Sequence, residues 1–141
     1  MATVNSTTYA AQVAGKIALD AGVNHTRLLI ASTTYEATAL AANSIINLFK
    51  LPKGAVVHNF ILTHDDLGTG ITVDVGDAGD ADRYIDGLSV STGVGSTAGI
   101  LPDGCGYVIG TDTTNDDTIV TATILGGAAT GTIKVVCEYA I

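Results

Sequence analysis

The chain has no tryptophan, two cysteines, two prolines and six basic residues against fourteen acidic ones. Each shortage removes a class of function. Six scattered Lys and Arg within a net charge of −8 form no cluster able to neutralise phosphate, so nucleic acid is excluded as a partner. No stretch reaches the 18 or so consecutive apolar residues of a membrane span. The start of the chain has no basic region followed by an apolar run, so synthesis without a secretory leader, in a cytoplasm, is the expectation. Cys105 and Cys137 have no CxxC spacing, and the expectation is two reduced, buried thiols. Without tryptophan, a sugar-stacking platform would have to come from the five tyrosines, with Tyr9 and Tyr35 the ones outside the central strands.

What is present describes one β domain. A chain of 141 residues buries roughly 68% of its unfolded surface on folding, enough for one core without a disulfide, metal or other cofactor. Hydrophobic residues make up 47% and charged residues 14%, so Thr, Gly, Ala, Asn and Ser cover much of the surface, a composition suited to packing against neighbours. Residues 1–26 show no sustained period and are expected to form an arm; Tyr9 to Leu19, with Val13 and Ile17 four apart, offers at most two helical turns between Gly15 and Gly22. The arm is expected to dock on another subunit through Tyr9, Val13, Ile17 and Leu19.

Residues 27–141 alternate short β-favouring runs with turn residues. The runs are Leu28 to Ala31, Glu36 to Leu40, Ser44 to Leu51, Ala55 to His64, Gly70 to Val75, Tyr84 to Ser91, Cys105 to Ile109, Asp117 to Leu125 and Thr132 to Ile141. In the last, Ile133, Val135, Cys137, Tyr139 and Ile141 share a face opposite Lys134 and Glu138. Leu51-Pro52-Lys53-Gly54 predicts a hairpin between its flanking strands, and Ser91 to Gly106, with five glycines, a loop. The fold class is all-β, a single antiparallel β-sandwich with an N-terminal arm, and a jelly roll is favoured over an immunoglobulin-like sandwich.

Candidate chemistry is sparse. Asp74, Asp77, Asp80, Asp82 and Asp86 are close enough in sequence to suggest calcium, yet the stretch lacks the glutamate and spacing of an EF-hand. A turn in which Arg83 pairs with a neighbouring carboxylate is the preferred reading, so no metal is expected. His58 and His64 would share a strand face with Phe60 and Leu62 about 20 Å apart, too far to chelate one ion, and a solvent-facing loop end is expected for His64 beside Asp65 and Asp66. His25 lies in the arm. No GxSxG elbow, Cys-His signature or GxxxxGK[ST] loop is present, and the glycines of SVSTGVGSTAG lack a basic residue and a following helix, so no catalytic residue is nominated.

The segment SIINLFKLPKGAVVHNFILTHDDLGTGITVDVGDAGDADRYIDGLSV and the closing GTIKVVCEYAI resemble small structural proteins of tailed bacteriophages, over roughly Ser44 to Ile141. LPKGA alone is a common turn; VDVGDAGDADRY after it is more distinctive. The resemblance implies a non-enzymatic virion component, a capsid decoration or cement protein on the outer shell. It implies the major capsid protein and other copies of the chain, as a homotrimer, for partners. A head fibre, a tail component or a receptor- or carbohydrate-binding sandwich is the alternative.

Overall fold

The computed structural model describes residues 1–15 and 28–141. Ile17, Leu19, Gly22, His25 and Arg27 therefore lie outside the described residues. The elements in chain order are β1 (Thr3–Asn5), α1 (Thr7–Val13), β2 (Leu28–Leu40), β3 (Ile45–Lys50), β4 (Val56–His64), β5 (Thr72–Gly76), β6 (Ile85–Ser89), β7 (Gly95–Ala98), β8 (Ile119–Leu125) and β9 (Ala129–Ala140). They form two sheets, ordered β1-β3-β8-β5-β6 and β2-β9-β4-β7. Leaving β1 aside, the first strand pairs with the last, β2 with β9, then β3 with β8, β4 with β7 and β5 with β6, all antiparallel. One long hairpin folded over into two sheets gives this order, and it is the jelly roll.

Period-two alternation builds the core between the sheets. On β9, Ile133, Val135, Cys137 and Tyr139 are buried, while Lys134 points outward and Ile141, past the strand end, is exposed. On β8, Val120, Ala122 and Ile124 face the core, and Thr121 and Thr123 lie on the other face beside β3 and β5. Phe60 from β4 stacks on Tyr84, ahead of β6, with ring centroids 4.5 Å apart, joining the two sheets through the core.

Several expectations are corrected. Leu28 to Ala31 and Glu36 to Leu40 are one strand, because Ser32, Thr33 and Thr34 extend it rather than turn it. Pro52 and Gly54 do make a turn, with Ala55 N–H bonded to the Pro52 carbonyl at 3.1 Å and Gly54 at φ +88°. It is no hairpin, because β3 and β4 belong to different sheets and the chain crosses between layers there. Cys105 to Ile109 holds only an isolated bridge, Val108 to Val56, since Gly104, Gly106 and Gly110 bend the backbone around it. With no strand alternation to turn it inward, Cys105 is exposed. β7 lies inside the glycine-rich stretch expected to be a loop. On β4 a bulge between Val57 and Asn59 leaves His58 exposed, while Phe60, Leu62 and His64 face inward. His64 is thus buried rather than solvent-facing, with Nδ1 2.7 Å from the Asp65 carbonyl.

At the start of the chain, β1 and α1 lie along this chain's own β3. β1 pairs in parallel with β3, matching Thr3, Val4 and Asn5 to Ile45, Ile46 and Asn47. Ser6 N-caps α1, accepting the Tyr9 N–H at 3.1 Å, and its buried hydroxyl donates to the Leu48 carbonyl. Further along β3, the Gln12 side chain bonds both the N–H and the carbonyl of Lys50, at 2.7 and 3.1 Å. Strand, cap and glutamine amide together cover an edge that would otherwise offer bare main-chain groups.

Candidate functional site

The β3–β4 turn, the β5–β6 loop and the β7–β8 loop meet at one end of the sandwich and bring Lys53, Asp77, Arg83, Asp112, Asp116 and Asp117 together there. The β5–β6 loop is organised by Asp77. Its Oδ1 accepts the N–H groups of Gly79 and Asp80 at 2.9 and 3.1 Å, an Asx-type turn that Asp followed by Ala-Gly favours. Its Oδ2 receives Arg83 Nε at 2.7 Å, and the Tyr84 hydroxyl donates to the same oxygen at 3.4 Å. The pair is internal, with side-chain exposures of 0% for Asp77 and 14% for Arg83. Two glycines make the loop possible: a Cβ on Gly76 would run into the main chain of Asp80 and Ala81, and one on Gly79 into the Asp112 carboxylate.

Arg83 links this loop to the next, its guanidinium lying 4.0 Å from the centroid of the Tyr107 ring. The Tyr107 hydroxyl donates to Asp117 Oδ2 at 2.8 Å, and buried Asp117 also accepts the N–H groups of Gly110 and Asp112, at 2.9 and 3.1 Å. Burial pushes the Tyr84 phenol well above its ordinary range and raises Tyr107 as well. Main-chain N–H groups of Asn115 and Thr114 hold the Asp112 carboxyl below its usual value, and the Thr118 hydroxyl does the same for Asp116. Beside this network lies an open cleft of about 650 Å³ whose lining includes Lys50, Lys53, Asp112, Asp116 and Asp117.

The structure disperses the carboxylates considered for calcium. Asp77 is turned to Arg83 and its own loop, as the turn reading expects. Asp74 Oδ1 accepts the Gly87 N–H at 2.7 Å on the neighbouring strand. Asp80 lies beside Asp82, whose carboxyl raises the Asp80 pKa, and Asp86 is exposed. Among the described residues, no three His, Cys, Asp or Glu side chains gather as a metal site would require. The network's acceptors are occupied by main-chain and side-chain donors, and what it does chemically is fix two loops against each other.

Both outer faces of the sandwich mix polar and apolar side chains. Register places Asn47, Thr72, Asp74, Thr121 and Thr123 on the outside of the β1-β3-β8-β5-β6 sheet, beside Ile45 and Leu125. On the outside of the other sheet, register aligns Leu28 and Val56 with Ala140, Ile30 and Asn59 with Glu138, Ser32 and Ile61 with Val136, and Thr34 and Thr63 with Lys134. Leu28 and Ile30 are 58% and 66% exposed there. Sequence reasoning did not single out the exposed Leu28 and Ile30, although Leu28-Leu29-Ile30-Ala31, apolar at every position, is the signal of a strand covered on both sides. Tyr35 and Tyr9 are each half-buried and lie on different elements.

No protein-family model matches the sequence, and no curated protein matches it. Solved structures do. A chain of the Ralstonia phage GP4 capsid superposes with a TM-score of 0.71 at 21% identity, covering 98% of this chain and 97% of that one. A chain of the cyanophage Pam1 capsid asymmetric unit gives 0.65 at 24% identity, covering 90% and 95%. At these identities the likeness shows a shared fold, carried over nearly the whole of each chain.

Proposed function

We propose that this chain is a structural protein of a tailed-phage virion, seated on the outside of the capsid as a decoration or cement protein. The observation that carries the reading is the near-complete mutual coverage with the Ralstonia phage GP4 capsid chain, 98% and 97%, which matches one small jelly roll to another of the same length. The fold neighbours come from capsids, and the sequence resemblance points the same way independently. The major capsid protein and other copies of the chain, as a homotrimer, are the proposed partners. Residues 27–141 form the folding unit and residues 1–26 the arm in this proposal. The role is non-catalytic and uses no cofactor or metal, consistent with a polar network whose bonds are internal.

The physical support is the pair of exposed apolar side chains Leu28 and Ile30 on the outside of β2, which a shell-bound subunit would cover. Repetition over many copies turns modest contact energies at such a face into tight attachment. The test is binding to purified heads of the virus that encodes the chain, stripped of this protein. Co-sedimentation with heads and added resistance to heat or chelators are the expected results. Labelling of tails by an antibody would move the protein to the tail or receptor-binding alternative, and its absence from purified particles would overturn the reading.

A further inference from the structure

The N-terminal segment is attached in a way that any copy of the chain could satisfy. Strands β2 to β9 complete their jelly-roll pairing without it. It adds a parallel strand to β3 through the Ile45 N–H on the Ala2 carbonyl at 2.9 Å and the Ser6 N–H on the Asn47 carbonyl at 2.7 Å. The Ser6 hydroxyl on the Leu48 carbonyl, the two Gln12 bonds to Lys50, the Ala2 N–H on the Ser44 hydroxyl and the Asn5–Asn47 side-chain bond add to the contact, and the Thr8 hydroxyl donates to Thr33 on β2. The β3 side of these bonds is mostly main chain, the mode by which an added strand is recognised on a sheet edge. Apolar anchoring is slight: Val4 packs half-buried against the core, but α1 buries no residue and Val13 is 63% exposed.

We propose that β1 and α1 are exchanged between copies, the segment of one chain lying on β3 of a second. The bonds are the same within a chain and between chains, so exchange sacrifices none of them. The balance is set by effective concentration, on the order of millimolar for a tethered segment. Residues 16–27 supply at most about 45 Å of chain between Gly15 and Leu28, several times the ~10 Å spacing of stacked sheets, which sets the reach. Copies held side by side at such concentrations compete with the tether, and each exchange then joins two jelly rolls. A second copy is the occupant because it brings Ser6 and Gln12 at the spacing that β3 accepts. The inference does not depend on the capsid reading.

The test uses the contact between Asn5 and Asn47, register partners whose side chains hydrogen-bond at 2.7 Å. In a Cys105→Ser background, a chain carrying Asn5→Cys is mixed with one carrying Asn47→Cys at about 1 mM and oxidised. Exchange yields a covalent heterodimer on a non-reducing gel, about tenfold more abundant than at 10 μM, whereas either variant alone yields none. A double variant that closes its disulfide within one chain while the mixture gives no heterodimer overturns the proposal. A double variant forming no disulfide, within or between chains, overturns the pairing on which it stands. Sedimentation gives a second measurement: the unmodified chain is expected to associate at high concentration and Ser6→Pro, lacking the N–H and hydroxyl, to lose that association. An unmodified chain that stays monomeric throughout overturns the proposal as well.

Discussion

The end of the sandwich organised by Asp77 and the edge covered by β1 are both held by hydrogen bonds to main chain, but different surroundings enclose those bonds. Around Asp77 the partners are a buried carboxylate, a nearly buried guanidinium and the Tyr84 ring packed on Phe60. Within residues 1–13 the only fully buried residue is Ser6, and the helix beyond it lies on the surface. A polar contact sealed from water is costly to break, because the freed groups find no substitute, whereas an exposed contact exchanges for water or for an identical partner. The first region should therefore behave as part of the core and the second as a separable strap.

Removing the Asp77 carboxylate should have the largest effect. Asp77→Ala leaves Arg83 without its partner and the Gly79 and Asp80 N–H groups without their acceptor. We expect a loss of about 3–5 kcal/mol in urea unfolding, equivalent to roughly 10 °C in melting temperature. Asp77→Asn, which keeps an acceptor, should cost less. A loss for Asp77→Ala below about 1 kcal/mol would make the network a surface feature and erase the comparison.

Alkaline pH should probe the same end less severely. Tyr84 holds its phenol proton more tightly in the folded chain, because it is buried, while the unfolded chain has the ordinary value of 10.0. Above pH 10 the unfolded state loses its proton first, so stability present below that pH should fall as pH rises. Tyr84→Phe keeps the ring and should show a shallower decline between pH 10 and 12 in denaturant titrations. Part of the decline should persist, since Tyr107 is raised in the same direction. Identical slopes for the two proteins would place the alkaline sensitivity elsewhere.

At the strap, Ser6→Ala removes the helix cap and the bond to Leu48, worth about 1 kcal/mol locally. Because the strap can open while the jelly roll stays closed, hydrogen exchange at Tyr9 should quicken about fivefold with little change in the global melt. A global loss as large as the local one would show the strap to be part of the cooperative core.

What was legible in the sequence followed from alternation and turn chemistry. The β9 face was readable because Ile133, Val135 and Cys137 alternate with Lys134 and Glu138, and a pairing of Arg83 with some neighbouring carboxylate followed from a turn rich in Asp and Gly beside a lone cation, although which carboxylate, Asp77, did not. β7 was not readable, because Gly-Ser-Thr-Ala pairs with β4 through tertiary context that local propensity does not record. The sheet change after Leu51 was hidden because a Pro-Gly turn looks the same whether it joins neighbouring strands or two layers. β1 escaped because three residues carry no period, and its place is decided by the open edge of β3.

The two cysteines carry the smallest expected effect and separate a core position from a turn position most directly. Cys137 sits on β9 between Ala31 and Phe60 in the register, and burial pushes its thiol up, so at neutral pH it is protonated and inaccessible. Cys105 occupies the turn between Gly104 and Gly106, exposed, with its thiol 3.8 Å from the His58 carbonyl. A thiol reagent added to the native protein should label one site within minutes and the second only with denaturant, leaving the melting temperature nearly unchanged after the first. Cys105→Ser should abolish the fast phase alone. Fast labelling that survives in Cys105→Ser would mean that β9 opens to solvent in the native state. The body of the sandwich would then be no better sealed than the strap on its edge.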